Sequence, residues 1–349
     1  MNEIVASVLA KLARRTDLSD DDISAAFGEI LDGRVSDVQA AGLIVALRTK
    51  GETAGELAAL VRTMHRFSTR VDVPDGAIDT CGTGGDRSGT ANISTLAAVI
   101  AAGAGARVVK HGNRAQSSRC GSADVLEALG VAIELAPEGV ARCVDEAGMG
   151  FCFAPRFHPA MRFLGGARKE LGIGTTFNFL GPLANPARVK RQAVGVSDEM
   201  MASRMLSTLL ALGTERALVF HGDDGLDELT TTTTSKVHEL LDSGEMREYT
   251  LDPADYGIAI ARPRDLGGGD AAENAEQFHA IFAGDKGAVR DIAVLNAAAA
   301  LVVAGVSSDI GAGIEAASAS IDGGAAAKAL DALVRVSQEE HVAHAAGGN

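Results

Sequence analysis

After Val73-Pro74 the chain alternates short apolar runs with stretches of helical spacing. AIDTC (77–81) is followed by NISTLAAVIAAGAG (92–105), and ARVVKHG (106–112) by SADVLEALG (122–130). VAIEL (131–135) precedes EGVARCVDEAG (138–148), which leads into GFCFAP (150–155). The rhythm resumes with QAVGVS (192–197), DEMMASRMLSTLLALG (198–213) and RALVFHG (216–222). Such alternation predicts an α/β fold with a central, mostly parallel sheet flanked by helices. Between these blocks, residues 158–186 read as helices and loops with Asn185-Pro186 as a stop. Residues 239–251 suit a hairpin. The remainder is Ala-rich and helical, with the tail at 341–349 expected to fray.

Ahead of this region, residues 1–72 read as helices only. Ser19 precedes Asp22 by three positions, and Ser36 precedes Gln39 likewise; both are helix starts of the capping type, with Gly33 and Gly51 as stops. Glu52 to Phe67 carries a further apolar stripe. Two domains are expected: 1–72, a small helical domain, and 73–349, an α/β domain. A length of 349 residues with 46% hydrophobic side chains is ample for both.

The net charge of −14 is spread along the chain. It argues against nucleic acid and anionic membrane as partners. An anionic substrate would then need a local basic pocket. Cys81, Cys120, Cys143 and Cys152 form no CxxC pair and meet no zinc pattern, so reduced thiols in a cytoplasmic protein are expected. The amphipathic start reads as a first helix rather than a signal peptide. The richest apolar stretch, 292–306, is too short to span a membrane.

Four stretches carry chemistry. The first is DTCGTGGDRSGTANIST (79–95). Its glycines lead into a helix start, where free amides and the side chains of Asn92, Ser94 and Thr95 can converge on an anion. It has no Walker lysine, and Arg87 stands where a dinucleotide fingerprint needs glycine. By itself such a turn is equally well only a tight turn. Asp86 suits a sugar hydroxyl, an amine or a metal ion better than a phosphate. The second stretch, VVKHGNRAQSSRCGSADVLEALG (108–130), supplies the missing cations Lys110, Arg114 and Arg119 beside the hydroxyls of Ser117, Ser118 and Ser122. The third, HGDDGLDELT (221–230), is an acidic strand-end loop whose adjacent Asp227 and Glu228 suit Mg²⁺ if they turn inward; a solvated loop is the plain alternative. The fourth, FHPAMRFLGGARKELG (157–172), presents His158, Arg162 and Arg168 on or beside a helix, where an arginine facing a cleft grips a carboxylate.

Together, and in this order, DTCGTGGD, NIST, KHGNRAQSS, GSADVLEALG, FAPRFHPAM, FNFLGPLANP and DGLDELT resemble the anthranilate phosphoribosyltransferase family over nearly the whole chain. The resemblance implies that phosphoribosyl pyrophosphate is held by Gly82, Gly85, Asp86, Thr90, Asn92, Ile93, Ser94 and Thr95. Lys110, Asn113, Ser117, Ser118 and Ser122 would close over it. Gly82, Asn113, His158 and Arg168 would meet anthranilate, and Ser94, Asp227 and Glu228 would hold Mg²⁺. It also implies a homodimer joined through the helical domain and helices near 173–190. No side chain is expected to act as a strong acid or base. Ala91 departs from the phenylalanine that relatives generally carry before NIST, and Gly174 from a frequent arginine. Two rivals remain: a nucleoside phosphorylase of the same fold, which places a Lys-His pair before its glycine loop, and a non-catalytic nucleic-acid-binding relative, which −14 disfavours.

Overall fold

The computed structural model describes residues 1–115 and 119–347. Four helices open the chain: α1 (Glu3–Leu12), α2 (Asp20–Leu31), α3 (Asp37–Lys50) and α4 (Ala54–Arg66). Ser19 Oγ accepts from Asp22 N while the Asp22 carboxylate accepts from Ser19 N, a reciprocal cap that satisfies two amides of the first turn. Thr53 and Glu56 repeat the device on α4. Glu56 also accepts from Lys50 Nζ at 2.8 Å and from Leu18 N, so this buried carboxylate ties three segments together.

The sheet follows in βα units: β1 (Ile78–Gly82), α5 (Ile93–Gly103), β2 (Val108–Gly112), α6 (Ser122–Ala128), α7 (Pro137–Ala147) and β3 (Met149–Phe153). Three helices, α8 (Ala154–Phe157), α9 (Arg162–Leu171) and α10 (Phe177–Leu183), then lead to β4 (Arg191–Gly195), α11 (Glu199–Ala211) and β5 (Arg216–Gly222). A hairpin of β6 (Ser235–Leu240) and β7 (Met246–Leu251) completes the sheet. Helices α12 (Ala271–Phe282), α13 (Ala288–Ala304), α14 (Ile310–Asp322) and α15 (Ala325–Gly347) close the chain. The strand order is β3-β2-β1-β4-β5-β6-β7, parallel from β3 to β5 and antiparallel beyond.

Side-chain alternation divides two covers. Ala193, Leu218 and Phe220 point into a core shared with α5, α7 and α12–α15. Val194, Ala217 and Val219 point the other way, into a core shared with α1–α4 and with Leu164, Phe177 and Leu180 of α9 and α10. The helical bundle therefore buries one face of the sheet. Among the described residues no helix is long and apolar enough to cross a membrane.

Three expectations need correction. VAIEL (131–135) is not a strand. Val131, Ile133 and Leu135 are buried alternately, as in a strand, but side chains of α15 engage its backbone. Ala132 N donates to Ser337 Oγ, and Gln338 Nε2 donates to the neighbouring Gly130 carbonyl. The tail does not fray at 341: α15 continues to Gly347. The hairpin begins at Ser235, ahead of the expected 239, because Ser235 pairs with Leu251.

At the seam between bundle and sheet stand three histidines. His65 ends α4, His111 ends β2 and His158 follows α8; the rings of His111 and His158 are 5.2 Å apart. Burial lowers their pKa values to about 4, 3 and 4 respectively. A depressed folded-state pKa means that the unfolded chain binds protons first, so the stability is present above about pH 6.5 and lost as pH falls toward 4. Between about pH 7 and about pH 5 the wild type should lose a few degrees more melting temperature than His65→Leu. Parallel melting curves of the two proteins across that window would remove His65 from the account.

Candidate active site

Chain order reverses at the sheet centre: β1, β2 and β3 run outward to one side, and β4 and β5 to the other. A crevice beyond the carboxyl ends of β1 and β4 follows from that topology. The first three stretches singled out from the sequence lie at this edge, after β1, β2 and β5; the fourth follows β3 through α8 into α9, which packs on α2 and α3.

The glycine loop leaves β1 there. Gly84 and Gly85 have φ of 67° and 86°, and Arg87 adopts φ 57°, a left-handed conformation that a side chain disfavours. Ser197, just past β4, straps the loop down: its amide donates to Thr83 Oγ1 at 3.1 Å and its hydroxyl to the Gly84 carbonyl at 2.8 Å. The Asp86 carboxylate accepts from the amide and hydroxyl of Ser88. Thr90 bridges to Gly267, and Ala91 N donates to the Leu266 carbonyl. Ala91 is buried, and its backbone lies so close to Gly268 that a Cβ there would stand 2.7 Å from Ala91 Cα.

Asn92 opens α5 without capping it. Its Nδ2 donates to the Cys120 carbonyl, and its Oδ1 accepts from Asn274 Nδ2 at 2.9 Å. Ile93 lies in an apolar cluster with Leu226, Leu266 and Ile292, so only its backbone faces the crevice edge. Thr95 is buried, while the Ser94 hydroxyl accepts from Lys110 Nζ at 3.1 Å. Lys110 is 1% exposed and also donates to the Thr80 carbonyl at 2.6 Å.

The acidic loop splits into two pairs. Asp223 and Asp224 are taken by the threonines: Thr230 and Thr232 donate to Asp224, and Thr234 to Asp223. That accounts for the low-complexity run as a loop that satisfies its own carboxylates. Asp227 and Glu228 turn inward and are buried. Asp227 Oδ2 accepts from Gly84 N at 2.6 Å and Glu228 Oε1 from Ser94 N at 3.1 Å. Burial raises both pKa values above the carboxylate range, with further repulsion from Asp86 on Asp227 and from Asp227 on Glu228. The loop presses directly on the strands. A Cβ on Gly82 would stand 2.1 Å from Asp227 Oδ2, and one on Gly195 only 1.7 Å from the Asp227 carbonyl.

Among the described residues no group of three or more His, Cys, Asp or Glu forms a ready cation cage. Two desolvated carboxylates beside a serine hydroxyl fit a hard divalent cation that keeps water and substrate oxygens for its other positions.

The cations are placed differently from expectation. Arg114 is bound to Glu127 and Asp124, and Arg119 to Glu273 at 3.3 Å. Both guanidinium groups thus face carboxylates of α6 and α12, which leaves Lys110 as the cation at the crevice floor. Asn113 accepts from Arg114 N through Oδ1, and its carbonyl accepts from Ser122 Oγ at 3.3 Å, which folds the loop back on α6. Ser117 and Ser118 lie outside the described residues. His158 is buried, with Nε2 bonded to the Ala184 carbonyl at 2.9 Å. Arg168 stacks on Phe177 with 5.7 Å to the ring centroid. No ion pair engages it among the described residues, and burial lowers its pKa. Its charge therefore lacks a protein counterion.

Sequence spacing missed Asp79, Asn185, Ser197 and Asn274. Asp79 belongs to DTCGTGGD and Asn185 to a turn signal, Asn185-Pro186. Ser197 closes the apolar run QAVGVS and Asn274 lies in helical texture, and neither carries a local signal.

The α/β domain model of a glycosyl transferase family matches residues 75–327, and its helical bundle domain model matches 6–68. The anthranilate phosphoribosyltransferase of Nocardioides sp. is 53% identical over 94% of this chain and 97% of its own. The chain belongs to the anthranilate phosphoribosyltransferase family. The enzyme of Herpetosiphon aurantiacus is 46% identical over 95% of this chain and 99% of its own. Among solved members, the Thermus thermophilus enzyme superimposes with a TM-score of 0.89 at 39% identity, covering 95% of this chain and 99% of that one. The Saccharomyces cerevisiae enzyme, solved in complex with PRPP and Mg, matches with a TM-score of 0.89 at 26% identity over 97% and 99%.

The glycines of this family member at positions 82 and 195 give a direct test. Gly82→Ala should keep the fold but lower turnover about 100-fold, because a displacement of an ångström or so at a catalytic group has that cost. Activity within threefold of wild type, with an unchanged melting temperature, would show that the acidic loop does not need its observed seat.

Proposed function

We infer that the chain transfers the phosphoribosyl group of 5-phosphoribosyl 1-pyrophosphate to the amine of anthranilate, releasing pyrophosphate, as a step of tryptophan biosynthesis. The observation that carries this reading is the meeting of three elements at one crevice. They are the amides at the start of α5, the buried Lys110, and the inward-turned carboxylates of Asp227 and Glu228.

The chemistry follows from the parts. Gly82, Gly85, Asp86, Thr90, Asn92, Ile93, Ser94 and Thr95 form the wall along which phosphoribosyl pyrophosphate lies, with Lys110, Asn113 and Ser122 opposite; Ser117 and Ser118 are assigned to the same substrate by the motif KHGNRAQSS alone. The α5 amides and the ammonium of Lys110 stabilise charge on the departing pyrophosphate. Asp227, Glu228 and Ser94 would hold Mg²⁺, which when bound supplies neutralisation of that leaving group. The amine lone pair forms the new bond to C1 as the C1–O electron pair departs with pyrophosphate, and the surplus amine proton passes to solvent. The amine is neutral and nucleophilic near pH 7, so placement dominates. Arg168, lacking a protein counterion, takes the anthranilate carboxylate; Gly82, Asn113 and His158 border the same path. His158 serves there as a neutral wall rather than as an acid or base, since burial holds its pKa near 4.

The four free, buried cysteines support a cytoplasmic setting, and the acidic surface supports small-molecule substrates rather than nucleic acid. A homodimer through the helical region, with the chain dividing at 72/73, is supported by Ile4, Val38 and Phe163. These residues are exposed on the adjoining helices α1, α3 and α9. Light scattering at twice 35.7 kDa checks it, and a monomer mass excludes it.

The primary experiment is loss of anthranilate fluorescence with phosphoribosyl pyrophosphate across a Mg²⁺ titration. Asp227→Asn with Glu228→Gln should cut turnover by at least about 100-fold, since a lost metal contact costs several kcal/mol. Near-normal activity of that variant at ordinary Mg²⁺ would remove both residues from the metal site.

For Arg168→Ala, the KM for anthranilate should rise about ten- to a hundredfold, the size of a charge-assisted pair, with that for phosphoribosyl pyrophosphate nearly unchanged. The opposite split would assign Arg168 to the phosphate side.

A further inference from the structure

Strands β1 and β2 part company at the crevice. Their ladder registers at Ile78↔Val108 alone, whereas β1 with β4 and β2 with β3 pair along their full lengths. Beyond Val108, a continued parallel ladder would use the Val109 carbonyl, the Thr80 carbonyl and the His111 amide. Side chains hold all three. Asn185 Nδ2 donates to the Val109 carbonyl at 2.8 Å, Lys110 Nζ donates to the Thr80 carbonyl at 2.6 Å, and the His111 amide donates to Asp79 Oδ1 at 3.2 Å. Asn185 Nδ2 also donates to Asp79 Oδ2 at 2.8 Å, joining the contacts into one network.

The network sits at 0% exposure for Asp79 and 2% for Asn185. A carboxylate so deeply buried must have hydrogen-bond donors and an opposite charge within reach. Asp79 has the donors named above and Cys81 Sγ, and the positive field of Lys110 acts on it. The other titratable group near it is Cys152, whose thiol is pushed up by burial first and by the Asp79 charge second. Burial still raises the Asp79 pKa to about 6. None of these groups is a candidate metal ligand, and Asp79 does not line the crevice.

We propose that Asp79 and Asn185 are positioning residues for phosphoribosyl transfer: they wedge the carboxyl ends of β1 and β2 apart and so aim Lys110 Nζ at the Ser94 turn. This rests on the reading of Lys110 as a phosphoribosyl pyrophosphate contact. The wedge explains why Asn185 comes from a distant segment. An unbroken β1–β2 ladder would have no gap for a lysine to cross, and Lys110 would lose the Thr80 carbonyl contact that holds its ammonium. A role confined to stability would act equally on both substrates and independently of Lys110.

The test is a double-mutant cycle read by calorimetric titration of phosphoribosyl pyrophosphate with Mg²⁺ and by steady-state kinetics. Asp79→Asn keeps the shape and removes the charge. It should weaken phosphoribosyl pyrophosphate binding and raise its KM about tenfold, with the anthranilate KM within about twofold. In a Lys110→Met background, the same change should add less than about twofold. Asn185→Ser, which keeps a shorter donor, should show the same split at smaller size, and it carries the test if Asp79→Asn does not fold. Equal loss for both substrates, or an undiminished effect in the Lys110→Met background, overturns the positioning role. Wild-type protein that binds phosphoribosyl pyrophosphate but does not consume anthranilate overturns the reaction while leaving the binding cycle to judge the wedge. Wild-type protein that binds no phosphoribosyl pyrophosphate overturns both.

Discussion

The seat of the acidic loop on the ends of β1 and β4 is the contact on which the rest of the site depends. The Asp227 carbonyl lies where a Cβ of residue 195 would be, and its carboxylate lies where a Cβ of residue 82 would be. Only glycine at both strand ends lets the loop descend that far. The descent buries Asp227 and Glu228 and delivers them to the amides of Gly84 and Ser94. The strap from Ser197 then holds the glycine loop over them. Backbone freedom at two positions thus becomes electrostatics at a third.

That burial sets the chemical character of the crevice. Two adjacent carboxylates away from water repel each other, and their ionised forms are disfavoured until a cation arrives. The protein opposes them with amides and with one buried ammonium, Lys110. An acidic chain can in this way present a locally positive helix start to an anion. The neighbouring guanidinium groups of Arg114 and Arg119 are instead paired with carboxylates on α6 and α12. Arg168 differs in having an aromatic face rather than a carboxylate beside it, which leaves its charge for an incoming group.

Much of this was legible in the linear sequence where the physics is local. Helix starts at Ser19 and Ser36 depend on hydroxyls that accept from amides three residues on, whereas the Asn92 side chain reaches Cys120 and Asn274 instead of capping its helix. Strands were visible as short apolar runs, since burial on both faces leaves that mark within five residues. VAIEL carried the same mark and is no strand, because alternate burial also arises where an extended segment lies under a helix. Asp227 and Glu228 stood out as adjacent carboxylates, but whether they turned inward depended on glycines far away in the chain.

Sequence alone determined the family, the α/β architecture and the stretches that meet at the crevice, through motifs whose order is specific and local preferences that act over a few residues. Tertiary structure alone decided which charges are free. Arg114, Arg119 and Lys110 are equivalent in a line of text, and only their partners across 10 to 154 positions separate them. It also decided that β1 and β2 separate around Asp79 and Asn185, residues 106 apart. Hydrogen bonds and ion pairs act over about 3 to 4 Å in space. No spacing along the chain encodes that distance until the sheet has closed.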